Sequence, residues 1–118
     1  MYRNALIIAA LALAAGVGIA QTSGEQTFTG EIMDSTCARA GSHTAMEQEH
    51  HLGDNPRACT LACIRAGAKY VLYIPATKTI YALDNQKTPE SMAGEKVKVN
   101  GRLNSVTDTI HVTAISPF

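Results

Sequence analysis

Alternation of apolar and polar residues predicts a β-strand that begins at residue 27. Phe28, Gly30 and Ile32 occupy every second position, the period of two that places one set of side chains inward. A glycine inside a strand is typical of a bulge or a sharp bend, which we expect at Gly30.

The second half of the chain predicts four further strands. β-branched and aromatic residues over 69–74 and 79–83 flank the turn-forming segment 75–78, a pattern typical of a hairpin. Apolar and polar residues then alternate over 97–103, which predicts a half-buried strand. A last strand over 109–115 is expected to place three side chains on one face: Ile110, Val112 and Ala114.

Two helices are predicted between the first strand and the hairpin. Ser42 can cap a short helix in a polar segment. For the second helix, Asp54 or Asn55 supplies the cap. Pro56 then stands at the first helical position, and Gly67 marks the end.

The order of these elements predicts a mainly β (α+β) domain. The first strand is followed by a helical insertion over 34–54, which continues into the second helix. Two strands, a helical turn over 89–93 and two final strands come after it. This is the order of the OB-fold. We therefore expect a small five-stranded OB-like barrel with a Cys/His-bearing helical insertion between strands 1 and 2. Closure into a barrel removes exposed strand edges. An open antiparallel α+β sheet with the helix packed on it is the alternative.

Residues 1–20 have the layout of a secretory signal peptide. A positive start containing Arg3 precedes an apolar run from Ala5 to Ala15, and small residues at Gly18 and Ala20 favour cleavage after Ala20. The run of about 11 apolar residues is too short for a bilayer span, which takes about 20. An uncleaved N-terminal anchor is the alternative.

Cleavage would leave an exported protein, periplasmic or extracellular, without a stable membrane anchor. We expect residues 21–26 to form a mobile lead-in and residues 27–118 a single OB-like domain. Only Arg3 among the 10 basic residues precedes residue 21, so the exported part carries one net negative charge. This balance argues against nucleic-acid binding and against a polybasic membrane-binding segment.

All three cysteines lie in the exported part, where disulfides form. An odd number leaves at least one sulfur free, bound to a metal or paired with another chain. Cys59 and Cys63 are four residues apart and therefore share one face of the second predicted helix, whereas Cys37 follows the first strand.

Two interpretations of these sulfurs remain open. In the first, Cys37 forms a structural disulfide with Cys59 or Cys63, and closing a loop of about 20 to 25 residues stabilises the fold by roughly 3 kcal/mol. In the second, the three cysteines and His43 form a metal site. Tetrahedral Cys3His coordination suits zinc, whereas soft sulfur ligands with Met46 nearby suit Cu(I).

The polar insertion contains further groups that can bind metal. His50 and His51 lie beside Glu47 and Glu49, a setting typical of solvated surface residues. As an alternative, the segment forms a second metal-capture patch, because His43 with Glu47, or Glu47 with His51, are i, i+4 pairs that can chelate a divalent ion weakly. Met46, His50 and His51 are the possible additional ligands.

The remaining polar and aromatic groups are assigned structural roles. We expect Asp34 to cap the turn after the first strand, and a metal ligand is the alternative role of this carboxylate. His111 is expected to face solvent, and Tyr70, Tyr73 and Tyr81 to pack in the core and its rim. No Gly-rich phosphate loop, G-x-S-x-G or H-E-x-x-H motif occurs, so the sequence offers no active site and we expect a protein that is not an enzyme.

Three segments of the chain resemble a family of small exported bacterial proteins of unknown function. The shared pattern is G-x-[IV]-x-D-x-x-C, C-x3-C and G-K-x-V-x-V-x-G, and this chain has Glu95 in place of the lysine of the last motif. The resemblance implies an exported β-barrel-like domain and no particular activity. It marks five motif positions: Cys37, His43, Met46, Cys59 and Cys63.

These observations favour a small exported protein that binds rather than catalyses. The first hypothesis is a zinc or copper site built from Cys37, His43, Cys59 and Cys63. The alternative is a disulfide-stabilised interaction module of the cell envelope whose barrel binds a protein or a glycan. A thiol-redox role for Cys59, activated by the start of its helix, is a third hypothesis.

Overall fold

The computed structural model describes residues 24–41 and 55–118. Several sequence-based expectations lie outside these residues: the signal peptide, the short helix capped by Ser42, and the candidate ligands His43, Met46, His50 and His51. Among the helices of the described residues, none combines the length and apolar character that a bilayer span requires.

The described chain contains five strands, two α-helices and a 3-10 helix. In chain order they are β1 (Gln26–Asp34), α1 (Ser35–Ala40), α2 (Pro56–Arg65), β2 (Tyr70–Ile74), β3 (Thr79–Leu83), the 3-10 helix (Thr88–Met92), β4 (Lys96–Asn104) and β5 (Thr109–Pro117). All five predicted strands are present, and the second predicted helix and the helical turn before β4 lie within two residues of their expected bounds.

The strands close into a barrel in the order β1-β2-β3-β5-β4, with β4 paired back onto β1. β3 and β5 run parallel, with Leu83 opposite Ile110, and the other four pairs are antiparallel. This confirms the OB-like order. The open-sheet alternative is wrong, because the β3–β5 and β1–β4 pairings leave no free end to the sheet.

Strand β1 changes partners close to Gly30. Residues 26–31 pair with β4 and residues 31–34 pair with β2, so the strand bends from one neighbour to the other. A Cβ atom at Gly30 would lie 2.6 Å from the carbonyl oxygen of Tyr73. The bend expected at this glycine thus brings two backbones too close for any side chain.

The barrel interior is one of two hydrophobic clusters. Its buried members are Ile32, Tyr70, Leu72, Leu83, Ala93, Val97, Val99 and Ile110. In β5 the pairing shifts at Thr113, because Val112 lies opposite Gly101 while Ala114 lies opposite Asn100. This bulge turns Ile115 onto the core and leaves Ala114 exposed. The expectation that Ala114 shares the inward face of Val112 is therefore wrong.

The second cluster forms where α1 and α2 cover the outer face of β1 and β2. Alternate residues of the strands point to opposite faces, so Leu72 faces the barrel interior while Met33, Val71 and Tyr73 face the helices. The other buried members are Cys37, Ala38, Cys59 and Cys63. The barrel wall thereby provides one side of a compartment that holds all three cysteines.

Candidate metal centre

The three cysteine sulfurs converge on one point. The Sγ atoms of Cys37, Cys59 and Cys63 all lie within 4.8 Å of one another, and those of Cys37 and Cys59 are 3.4 Å apart. Cys37 and Cys59 are fully buried and Cys63 is 5% exposed. All three belong to the described part of the chain, and no disulfide joins them. The structure thus brings together the three sulfurs that the sequence separates into a helical pair and a single residue.

The first turn of α1 fixes the position of Cys37. The backbone N–H groups of Thr36 and Cys37 donate to Asp34 Oδ2 over 3.0 and 2.9 Å. These bonds satisfy N–H groups that a helix start leaves without intrahelical partners. The capping role expected of Asp34 is confirmed. The α1 helix itself follows β1 without a loop, and it ends at Gly41, whose φ is +81°.

Helix α2 fixes the other two sulfurs. Asn55 is its cap and accepts from the N–H of Ala58 over 3.0 Å, while Pro56 occupies the first turn. Cys59 and Cys63 stand four residues apart, about 6 Å along the helix axis, and both face the cluster under α1. Two sequence-distant helices therefore supply the two sides of one site.

Buried apolar side chains and the carboxylate of Asp34 surround the sulfurs. Burial raises the pKa of the Cys37 thiol far above its ordinary value, and the adjacent Cys59 and Asp34 side chains raise it further. Burial, followed by the effects of Asp34 and Cys59, raises the pKa of Cys63 to about 11. These two thiols are accordingly neutral at pH 7 in the unloaded site, and a metal ion would displace their protons on binding.

The sulfur separations fit a tetrahedral thiolate site. A Zn–S bond of about 2.3 Å places two sulfurs of a regular tetrahedron about 3.8 Å apart. The Cys37–Cys59 separation is 3.4 Å and no pair of sulfurs is more than 4.8 Å apart, so small adjustments reach that value. A buried three-cysteine group of this kind can hold a metal ion, and thiolate sulfur suits both zinc and Cu(I).

The other candidates of the sequence are divided between described and undescribed residues. His43, Met46, His50 and His51 lie in the undescribed segment 42–54. His111 is exposed and forms an ion pair with Asp84, as expected for a solvent-facing side chain.

The tyrosines of the hairpin pack as predicted. Tyr70 lies in the barrel interior and Tyr73 in the cysteine cluster. Tyr81 meets Phe28 edge-on with ring centroids 5.5 Å apart.

Two buried polar atoms near the start of the helices were not foreseen from the sequence. Asp34 and Thr60 are both fully buried, yet Asp34 Oδ1 and Thr60 Oγ1 have no hydrogen-bond partner among the described residues. The D-x-x-C spacing contains a signal for the position of Asp34, because a carboxylate that caps a helix three residues before a cysteine lies against the amide of that cysteine. The carboxylate of Asp34 is thus part of the surroundings of the sulfurs as well as a cap.

Comparison with known proteins adds no further assignment, since no family model, no curated protein and no solved structure matches the chain.

Proposed function

We propose that this protein is an exported carrier or sensor of a transition metal, zinc or copper, bound at the buried cysteine triad. The observation that supports the proposal is the convergence of three buried sulfurs from two helices within 4.8 Å. A single buried cysteine packs as a small apolar side chain, so it is the convergence of three sulfurs on one point, rather than their burial, that points to a metal.

A tetrahedral site needs a fourth ligand besides Cys37, Cys59 and Cys63. From the sequence, His43 is the candidate for this position, because it follows the end of α1 by only a few residues. Met46, His50 and His51 are the candidates for an additional, weaker capture patch in the same segment.

Export is the second part of the proposal, and the layout of residues 1–20 supports it. We expect the mature chain to begin at Gln21 and to be recovered from the periplasm or the medium. The intact mass of the protein from fractionated cells measures this directly. A full-length mass in the cytoplasmic fraction would contradict it.

Elemental analysis of the natively purified protein tests the metal site. We expect one zinc or copper ion per chain in the wild type and a loss of at least about 90% of it in Cys59→Ser. His111→Ala is the matched control, since it removes an exposed potential ligand that lies outside the triad. A wild-type protein that binds no metal at saturating zinc or Cu(I) would overturn the proposal.

The separation of Cys37 and Cys59 favours a second candidate function, a disulfide-stabilised envelope module without metal. Their sulfurs are 3.4 Å apart, a contact that could become a bond on oxidation. An open, largely apolar cavity of about 630 Å³ on the barrel, lined in part by Ile74, Pro75 and Lys96, would then be the surface for a protein or glycan partner. Thiol counting separates the two: a metal-free chain with one alkylatable thiol and a mass two hydrogens below the reduced value supports the module.

A further inference from the structure

The two carboxylate oxygens of Asp34 have different surroundings. Oδ2 accepts two backbone N–H groups at the start of α1, from Thr36 and Cys37. Oδ1 is equally buried but has no hydrogen-bond partner among residues 24–41 and 55–118. A fully buried carboxylate with one oxygen unsatisfied is unfavourable unless a cation or a donor meets that oxygen.

The unsatisfied oxygen belongs to the same compartment as the sulfurs. The cap holds Asp34 Oδ2 2.9 Å from the amide nitrogen of Cys37, which is itself one of the three cysteines of the triad. Asp34 raises the pKa of the thiols of both Cys37 and Cys63, in keeping with a carboxylate near sulfurs of both helices. Because Oδ2 is tied to the start of α1, the side chain is held beside Cys37, and Oδ1 is the carboxylate oxygen without a partner among the described residues.

We propose that Asp34 Oδ1, in place of His43, is the fourth ligand of the metal, giving a Cys3Asp site whose carboxylate strengthens the binding of zinc more than that of Cu(I). This inference rests on the proposed function, because it assigns a ligand to the same triad. Zinc accepts carboxylate oxygen at about 2.0–2.2 Å alongside thiolate sulfur. Cu(I) is bound by soft sulfur ligands and gains little from a hard oxygen.

The assignment is chemically consistent with the charge of the site. Three thiolates and one carboxylate give zinc the same formal ligand charge as four thiolates, the set of many structural zinc sites. Oδ2 keeps its two N–H donors while Oδ1 binds the ion, so coordination does not require α1 to lose its cap.

Asp34→Asn is the variant that isolates the ligand role. Asparagine is as good an N-cap as aspartate, so the position of Cys37 is preserved while the anionic ligand is lost. We expect the zinc Kd, measured by competition with a chromophoric chelator, to rise by at least about 10-fold. The Cu(I) Kd, measured under reducing conditions, is expected to stay within about threefold, because the three sulfurs remain. Equal weakening of both metals would indicate a merely structural role and overturn the inference.

X-ray absorption of the zinc-loaded wild type supplies an independent readout. We expect three sulfur neighbours and one oxygen, without the outer-shell scattering of an imidazole ring. His111→Ala, which removes an exposed imidazole outside the triad, is the matched control and is expected to leave this spectrum and the zinc Kd unchanged. Imidazole scattering that disappears in His43→Ala would assign the fourth position to His43 and overturn the assignment to Asp34.

The design separates this inference from the proposed function. If the wild type binds no zinc, the proposed function fails; if it binds one zinc with Asp34→Asn unchanged, only the role of Asp34 fails. Should Asp34→Asn not fold, Asp34→Ser is used, since serine also caps helices and has no carboxylate. The same expectations apply to it.

Discussion

At the residue scale, Gly30 shows how a single missing side chain permits barrel closure. Its Cα faces the carbonyl oxygen of Tyr73 and the side chain of Leu72, with a Cβ position only 2.6 Å from that oxygen. We expect Gly30→Ala to lower the free energy of unfolding by about 1–3 kcal/mol, as overpacking does elsewhere. Urea unfolding followed by circular dichroism measures the change. Gly24→Ala is the control, because no atom lies within 4 Å of the Cβ position at Gly24.

Asp84 makes the stability of the barrel depend on acid pH. The Val112 N–H donates to Asp84 Oδ1 over 2.9 Å, and His111 contacts Asp84 Oδ2. These contacts, chiefly the bond from Val112, lower the pKa of Asp84 below its ordinary value of 3.8. A lowered pKa stabilises the fold above the ordinary value, and this stabilisation is lost as the pH falls through the pKa of the folded state.

The consequence is testable with Asp84→Asn. We expect the wild type to exceed this variant in unfolding free energy at pH 6, and the difference to be lost as the pH falls through the lowered pKa of Asp84. The effect is modest because the pair is solvated. His111→Ala is expected to retain most of the pH dependence, since the Val112 bond is the larger cause. A difference that persists unchanged at pH 2 would contradict the assignment.

At the element scale, the strands follow from the sequence because their alternation survives in the fold. The bulge at Thr113 does not, since it depends on how β4 and β5 pair rather than on either strand alone. Helix α1 also escapes prediction, because six residues are too few for a helical period to be recognised. Its cap was nevertheless predicted at Asp34, because a carboxylate directly after a strand is a local signal.

The candidate site was likewise predictable only in part. The i, i+4 spacing of Cys59 and Cys63 already places them on one helical face. The D-x-x-C spacing likewise places Asp34 at the start of α1, but the approach of Cys37 to Cys59 and Cys63 depends on the packing of α1 against α2, which no local pattern encodes.

The cap of α2 provides a prediction at this scale. Asn55 accepts from the N–H of Ala58, and its loss in Asn55→Ala is expected to lower the free energy of unfolding by about 1 kcal/mol. Asn55→Asp, which retains a capping oxygen, is expected to stay close to the wild type. Thermal unfolding of the metal-free proteins makes the comparison. A stability of Asn55→Ala equal to that of Asn55→Asp would show that the cap does not hold α2.

At the scale of the whole molecule, the fold separates the core of the barrel from the cluster that contains the cysteines. The barrel interior contains no cysteine among its described members, while the outer compartment contains all three. Met33 and Ile32 are neighbours in β1 yet belong to different clusters, so the wall of the barrel is common to both. The barrel is therefore expected to fold without metal, in contrast to small domains whose core is the metal site itself.

This separation predicts where metal loading changes stability. At zinc concentrations 100 times the Kd, binding to the folded state stabilises it by about 2.7 kcal/mol. For a domain of this size the midpoint of thermal unfolding then rises by roughly 10 °C or more, and a chelator reverses the rise. Cys59→Ser is expected to keep a cooperative transition and to lose the zinc-dependent shift.

Hydrogen exchange shows which elements zinc stabilises: added protection is expected in α1, α2 and the paired ends of β1 and β2 rather than in the β4–β5 hairpin. Equal protection throughout the barrel, or a metal-free chain without a folding transition, would show that the two clusters form a single core.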